Sequence, residues 1–129
     1  MDVKVERTVA APQDKVFAAW LDPSVDGCPF KDHDELVLTP KVGALWYWLV
    51  HSQHHYGRFL EINPPTRILH TWVSRYSAGL ETIVTITFKK KANATRVVLR
   101  HTGLPNGEYG EAHREAWQRI LGELQDAMA

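Results

Sequence analysis

The sequence predicts an α+β domain, a curved antiparallel β-sheet wrapped around one long C-terminal helix. Three observations carry that prediction. From Glu35 to His101 apolar and polar residues alternate with a period near two, broken by short turn-rich stretches. Consecutive strands joined by short loops pair antiparallel, because a parallel pair needs a long crossover. Beyond Gly107 the apolar period lengthens to that of a helix, the only long element available to cover the sheet's apolar face. At 129 residues the chain has the size of one domain, and 1–129 is read as a single unit.

Each element has its own signal. Val3, Val5, Thr8 and Val9 mark a short opening strand. Pro12 suits the first turn of a helix and Asp14 its positive end, while Val16, Phe17 and Trp20 follow at helical spacing, giving a short helix over about 12–21. Asp22 to His33 is irregular, with a turn of helix at most. Glu35–Leu38 is a brief strand and Pro40–Gly43 a turn. Ala44–Val50 is an aromatic-rich strand, and the polar run His51–His55 reads as a hairpin loop. Tyr56–Ile62 returns and ends at Asn63-Pro64-Pro65, since proline cannot donate to a ladder. Arg67–Val73 and Glu81–Phe88 follow, separated by a loop over Ser74–Gly79. Lys89–Ala94 reads as a polar turn and Thr95–His101 as the last strand. Gly103–Gly107 breaks the pattern before a helix over Glu108–Met128, whose Trp117, Ile120, Leu121 and Leu124 form one stripe one turn beyond His113.

Composition narrows the function classes. Fifteen basic and fifteen acidic residues give a net charge of zero, so a protein built to grip nucleic acid or an anionic membrane is not expected. Cys28 is the only cysteine, which leaves no intrachain disulfide and no cysteine-based zinc site. The opening residues carry no signal-peptide pattern, and the longest apolar stretch, Ala44–Val50, falls far short of the roughly 20 residues of a membrane span. A cytoplasmic protein without membrane insertion is the expectation. Five tryptophans, four tyrosines and four phenylalanines are the feature that asks for a place.

Gly57-Arg58-Phe59-Leu60-Glu61-Ile62-Asn63-Pro64-Pro65-Thr66-Arg67-Ile68, with Thr71-Trp72 after it, resembles the central signature of the activator of heat-shock protein ATPase homologue family. Val5–Trp20, Thr95–Leu104 and the stripe of Trp117, Leu121 and Leu124 are similar to that family's opening, last strand and terminal helix. The resemblance spans nearly the whole chain. It implies the helix-grip fold of the START-like (SRPBCC, birch-allergen-like) superfamily, which also holds lipid carriers, polyketide cyclases and co-chaperone domains. Gly43-Ala44 stands where the family has Gly-Gly, and the segment around Cys28-Pro29-Phe30 is shorter than the family's.

Strand parity sorts the side chains, because alternate residues share a face. Trp46, Trp48 and Val50 form one set and Leu45, Tyr47 and Leu49 the other; the resemblance turns the first set toward the helix. Ile68, His70 and Trp72 share a face, as do Val84, Ile86 and Phe88, and Val97, Leu99 and His101. With Phe59 and with His113, Trp117 and Ile120 of the helix they line the expected interior. That interior is either a filled core or a cavity for a small apolar or aromatic ligand, and the resemblance favours the cavity.

Within it His70, His101 and His113 are the only candidates for acid–base chemistry, with Glu61 as an orienting partner if its strand bulges. No nucleophile elbow, phosphate loop or zinc-protease motif is present, and no cofactor is expected. His51, His54 and His55 could bind a transition metal, but a loop without a positioned carboxylate reads as a solvated turn, so no metal site is expected. Lys89-Lys90-Lys91 reads as a soluble edge. The outward set Leu45, Tyr47 and Leu49 needs a cover, either a second copy of the chain or its own N-terminal helix region. Ligand binding ranks first, an aromatase/cyclase- or hydrolase-type enzyme second, and a co-chaperone-like interaction module third.

Overall fold

The computed structural model describes residues 1–129. Seven strands, β1 (Val3–Val9), β2 (Glu35–Val37), β3 (Leu45–Val50), β4 (Gln53–Asn63), β5 (Arg67–Ser74), β6 (Thr82–Lys91) and β7 (Ala94–Thr102), form one sheet in the order β1-β7-β6-β5-β4-β3-β2. Every neighbouring pair is antiparallel. Helix α1 (Gln13–Trp20) follows β1, and helix α2 (Glu108–Ala127) ends the fold. This is the helix-grip arrangement. β1 and β2 lie at opposite edges of the sheet, so α1 and the irregular segment after it must cross from one edge to the other. That crossing closes the concave side that α2 only partly fills. No helix is long and apolar enough to cross a membrane.

The inward face follows the expected parity. Trp46, Trp48, Phe59, Ile68, Trp72, Val84, Ile86, Phe88, Val97 and Leu99 belong to one core cluster, together with Phe17 and Trp20 of α1 and Trp117, Ile120, Leu121 and Leu124 of α2. Helix α1 packs on β6 and β7, where the Phe17 and Phe88 rings meet edge-on at 5.1 Å and Trp20 lies 6.0 Å from Phe88. Gly57 sits inward on β4 because nothing larger fits: a Cβ there would run into the Thr71 carbonyl and lie 2.7 Å from Trp46 Nε1.

Three local expectations fail, each for a backbone reason. The His51–His55 loop shrinks to a two-residue turn, with His51 and Ser52 both left-handed at φ 50° and 63°. This tight turn matches the sheet's twist and returns Gln53, His54 and His55 to β4. Likewise β6 runs on to Lys91, which pairs with Ala94, so the three lysines lie on a strand and only Ala92 and Asn93 turn. A bulge at Leu60 shifts the register between Phe59, opposite His70, and Glu61, opposite Leu69. The bulge turns Glu61 to the outer face, where it meets Arg67 Nε at 2.9 Å rather than any histidine.

Candidate functional site

The concave side is solid at one end and hollow at the other. A partly open cavity of about 390 Å³ lies between α2, the β3–β5 end of the sheet and the segment Gly27–Asp32. Its wall is aromatic: Trp72 stands at the centre, 5.2 Å from Trp117, 6.4 Å from Trp48 and 5.1 Å from His55, ring centre to ring centre. The space exists because the facing helix positions are small. Ala112 and Ala116, four residues apart on α2, line the cavity beside His113 and Trp117. Tyr76 also lines it and meets Tyr109 edge-on at 5.3 Å.

The mouth segment is held from three sides. Gly27, at φ 91°, approaches α2 so closely that a Cβ would sit 2.9 Å from Ala127 Cβ. The Cys28 thiol donates to the Trp20 carbonyl at 3.3 Å, and burial raises its pKa to about 11, so it is a structural thiol rather than a nucleophile. Trp48 Nε1 donates to the Asp32 carbonyl at 2.8 Å, and Phe30 meets the Trp48 ring edge-on at 5.4 Å. The charged side chains of the lining, Lys31, Asp32, Arg119 and Glu123, are all exposed at the mouth.

Four histidines point inward and differ in what their ring nitrogens do. His101 is fully buried within a directed chain. Trp117 Nε1 donates to His101 Nδ1 at 3.0 Å, His101 Nε2 lies 2.7 Å from the Thr82 hydroxyl, and that hydroxyl donates to the Trp72 carbonyl at 2.7 Å. The tautomer follows: Nδ1 accepts, and Nε2 carries the proton and donates to Thr82. Burial first, then the neighbouring His113 and His70, push the His101 pKa down to about 2. His70 is also fully buried, donates from Nδ1 to the Thr71 carbonyl at 2.8 Å, and is pushed down to about 4 by burial. His113 and His55 donate from Nδ1 to the carbonyls of Tyr109 at 2.8 Å and Trp48 at 3.2 Å. Burial lowers both of their pKa values as well, so all four rings are neutral at pH 7.

A family model described as activator of Hsp90 ATPase homolog 1-like protein matches residues 10–129. The chain belongs to this family. Among solved structures, the HSP90 activator PFC0360w from Plasmodium falciparum is 22% identical with a TM-score of 0.81, covering 98% of this chain and 94% of that one. The Aha1 dimer from Colwellia psychrerythraea is 14% identical with a TM-score of 0.82, covering 99% and 96%. DynU16, a protein of the dynemicin biosynthetic locus, is 24% identical with a TM-score of 0.81; the match covers 97% of this chain and 46% of that one. At these identities the likeness is one of fold. No curated protein gives a significant sequence match.

Within this family member, Trp48, Trp72, His113, Trp117 and Ile120 line the cavity. Trp46, Phe59, Val84, Ile86, Phe88, Val97 and Leu99 lie in the packed part of the core, beside buried His70 and His101. The cavity also draws on His55, Ser74, Tyr76, Ala112, Ala116 and the Gly27–Asp32 segment, none of which parity arguments singled out. His55 was within reach of them. It lies two residues before inward Gly57, and only the overlong hairpin loop hid it. The three histidines of that run separate on folding. His51 stays exposed at the turn, His54 bonds the Tyr47 hydroxyl at 2.7 Å on the outer face, and His55 faces inward. Alternation along β4 thus sends His54 and His55 to opposite faces, while His51, in the turn, borders the cavity beside His55.

Proposed function

We propose that this protein binds a small, uncharged apolar or aromatic molecule in the cavity between the sheet and α2. The observation that carries this reading is the cavity itself, about 390 Å³, with a wall of three tryptophans and its charged groups confined to the mouth. Its volume and aromatic wall suit a small organic ligand. N-phenyl-1-naphthylamine, an uncharged fluorescent probe, is expected to bind and quench tryptophan emission, because Trp48, Trp72 and Trp117 all border the space. Ala116→Leu, which extends a side chain into the cavity, is expected to abolish that quenching. No quenching up to the probe's solubility limit overturns the reading. We place this activity in the cytoplasm, a setting supported by the single, unpaired, buried cysteine.

One observation favours a second reading, an enzyme of the aromatase/cyclase or hydrolase type. His113 is a neutral base in the cavity wall, oriented by its bond to the Tyr109 carbonyl. On this reading 4-nitrophenyl acetate is hydrolysed faster than in buffer, and His113→Gln stops the excess. Hydrolysis unchanged by that substitution removes His113 from any such role.

The outer face suggests a homodimer. Leu45 is 60% exposed, Val37 52% and Tyr56 51%, and Tyr47 and Leu49 complete an apolar ribbon across β2–β4. Helix α1 lies on the opposite side of the sheet and does not cover them. The Colwellia relative, described as a dimer, supports this reading. Light scattering is expected to give twice the monomer mass at high micromolar concentration, and Leu45→Lys to halve it. A wild-type monomer at that concentration ends the idea.

A further inference from the structure

The cavity is aromatic but not featureless, and its polar atoms form a specific set. His113 and His55 each spend their Nδ1 proton on a backbone carbonyl. A carbonyl can only accept, so each Nε2 in these neutral rings carries a lone pair and no proton. Both rings line the cavity, and neither Nε2 has a protein partner. Trp72 and Ser74 also stand in this wall, but Trp72 Nε1 and the Ser74 hydroxyl are buried beneath its surface, out of reach of a guest. Two acceptors are therefore unanswered around one aromatic space.

We propose that the cavity is built for a flat hydroxylated aromatic molecule, whose hydroxyl donates to Nε2 of His113 or His55. This rests on the ligand-binding reading given above and narrows it to a ligand class. A bare hydrocarbon would leave both imidazole nitrogens desolvated and unpaired. A carboxylate would set its charge against two lone pairs in a buried space. An ammonium group could donate to the imidazoles, but every carboxylate of the lining is out at the mouth, so the charge would lie unpaired inside. A phenol-type hydroxyl is uncharged, donates to an imidazole nitrogen and lets its ring stack among Trp48, Trp72 and Trp117.

The test uses four probes on one ring system: 2-naphthol, 2-methoxynaphthalene, naphthalene and 2-naphthoate, each titrated by tryptophan quenching and by calorimetry at pH 7. The expected order is 2-naphthol tightest, about tenfold tighter than 2-methoxynaphthalene and naphthalene, with 2-naphthoate weakest. The combined His55→Phe, His113→Phe variant is expected to bind 2-naphthol and 2-methoxynaphthalene equally. Equal affinity of those two probes for the unaltered protein overturns the polar assignment while leaving the apolar cavity in place, and needs no variant to fold. A tenfold preference that survives in the double variant also overturns it. Failure of all four probes removes the ligand-binding reading and this assignment with it.

Discussion

The two ends of the concave face are built from the same strand alternation, yet one is solid and the other hollow. Over β6 and β7 the inward residues Val84, Ile86, Phe88, Val97 and Leu99 are fully covered, and α1 fits Phe17 and Trp20 against them. Over β3–β5 the inward set includes Trp48 and Trp72, but the side facing them is Ala112 and Ala116 of α2 and a segment held off by its contacts with Trp20 and Trp48. Hollowness here is decided by the partner element rather than by the sheet. A row of large inward aromatics does not by itself announce a full core.

The sharpest way to break this contrast lies on two adjacent residues of α2. Leu121 is completely buried in the solid half, whereas Ile120 borders the cavity. Leu121→Ala is expected to cost about 3–4 kcal/mol in urea unfolding, since it opens a void in close-packed surroundings. Ile120→Ala is expected to cost about 2 kcal/mol or less, because it enlarges a space that already exists. Equal losses would mean that the two halves are packed alike.

The next effect is a loss of stability on acidification. The unfolded chain protonates histidine near pH 6.5, while burial keeps His70 neutral in the folded protein down to about 4. Between these values the folded state binds fewer protons, so stability present above pH 6.5 falls as the pH drops toward 4. The amount from His70 is roughly 3 kcal/mol, and His101, lowered to about 2, extends the loss to still lower pH. A chemical-denaturation midpoint unchanged between pH 7 and pH 5 contradicts this. Smallest in stability, but most informative about the hollow half, is Ala116→Leu, expected to shift unfolding by less than about 1 kcal/mol in either direction. The same change in the solid half, Ala19→Leu at a position 2% exposed, is expected to cost about 1–3 kcal/mol by overpacking.

Much of the fold is legible in the order of the residues. Period-two stretches and the stripe Trp117-Ile120-Leu121-Leu124 mark every strand and the long helix to within a few residues, because half-buried elements must alternate at their own period. The errors fall where one or two backbone angles decide. Nothing in His51-Ser52 advertises two consecutive left-handed residues, and Leu60 carries no mark of a bulge, yet these place His55 inward and Glu61 outward. The site is less legible than the fold. Parity identifies which side chains face the interior, as with Trp48 and Trp72, but not which of them border empty space. That depends on Ala112 and Ala116 across the gap and on the mouth segment, whose path follows from Gly27, Cys28 and Asp32 rather than from any periodic pattern.

The chain of bonds from Trp117 through His101 and Thr82 to the Trp72 carbonyl has a direction: every proton points the same way, from α2 across β7 and β6 to β5. It works like a key in a keyway. Rotating or sliding α2 by one residue would withdraw the indole proton from His101, and the imidazole cannot turn over to compensate without facing its own N–H toward that of Trp117. The helix is therefore seated in one register against three strands at once. The wall that α2 gives the hollow beside it is thus fixed in outline.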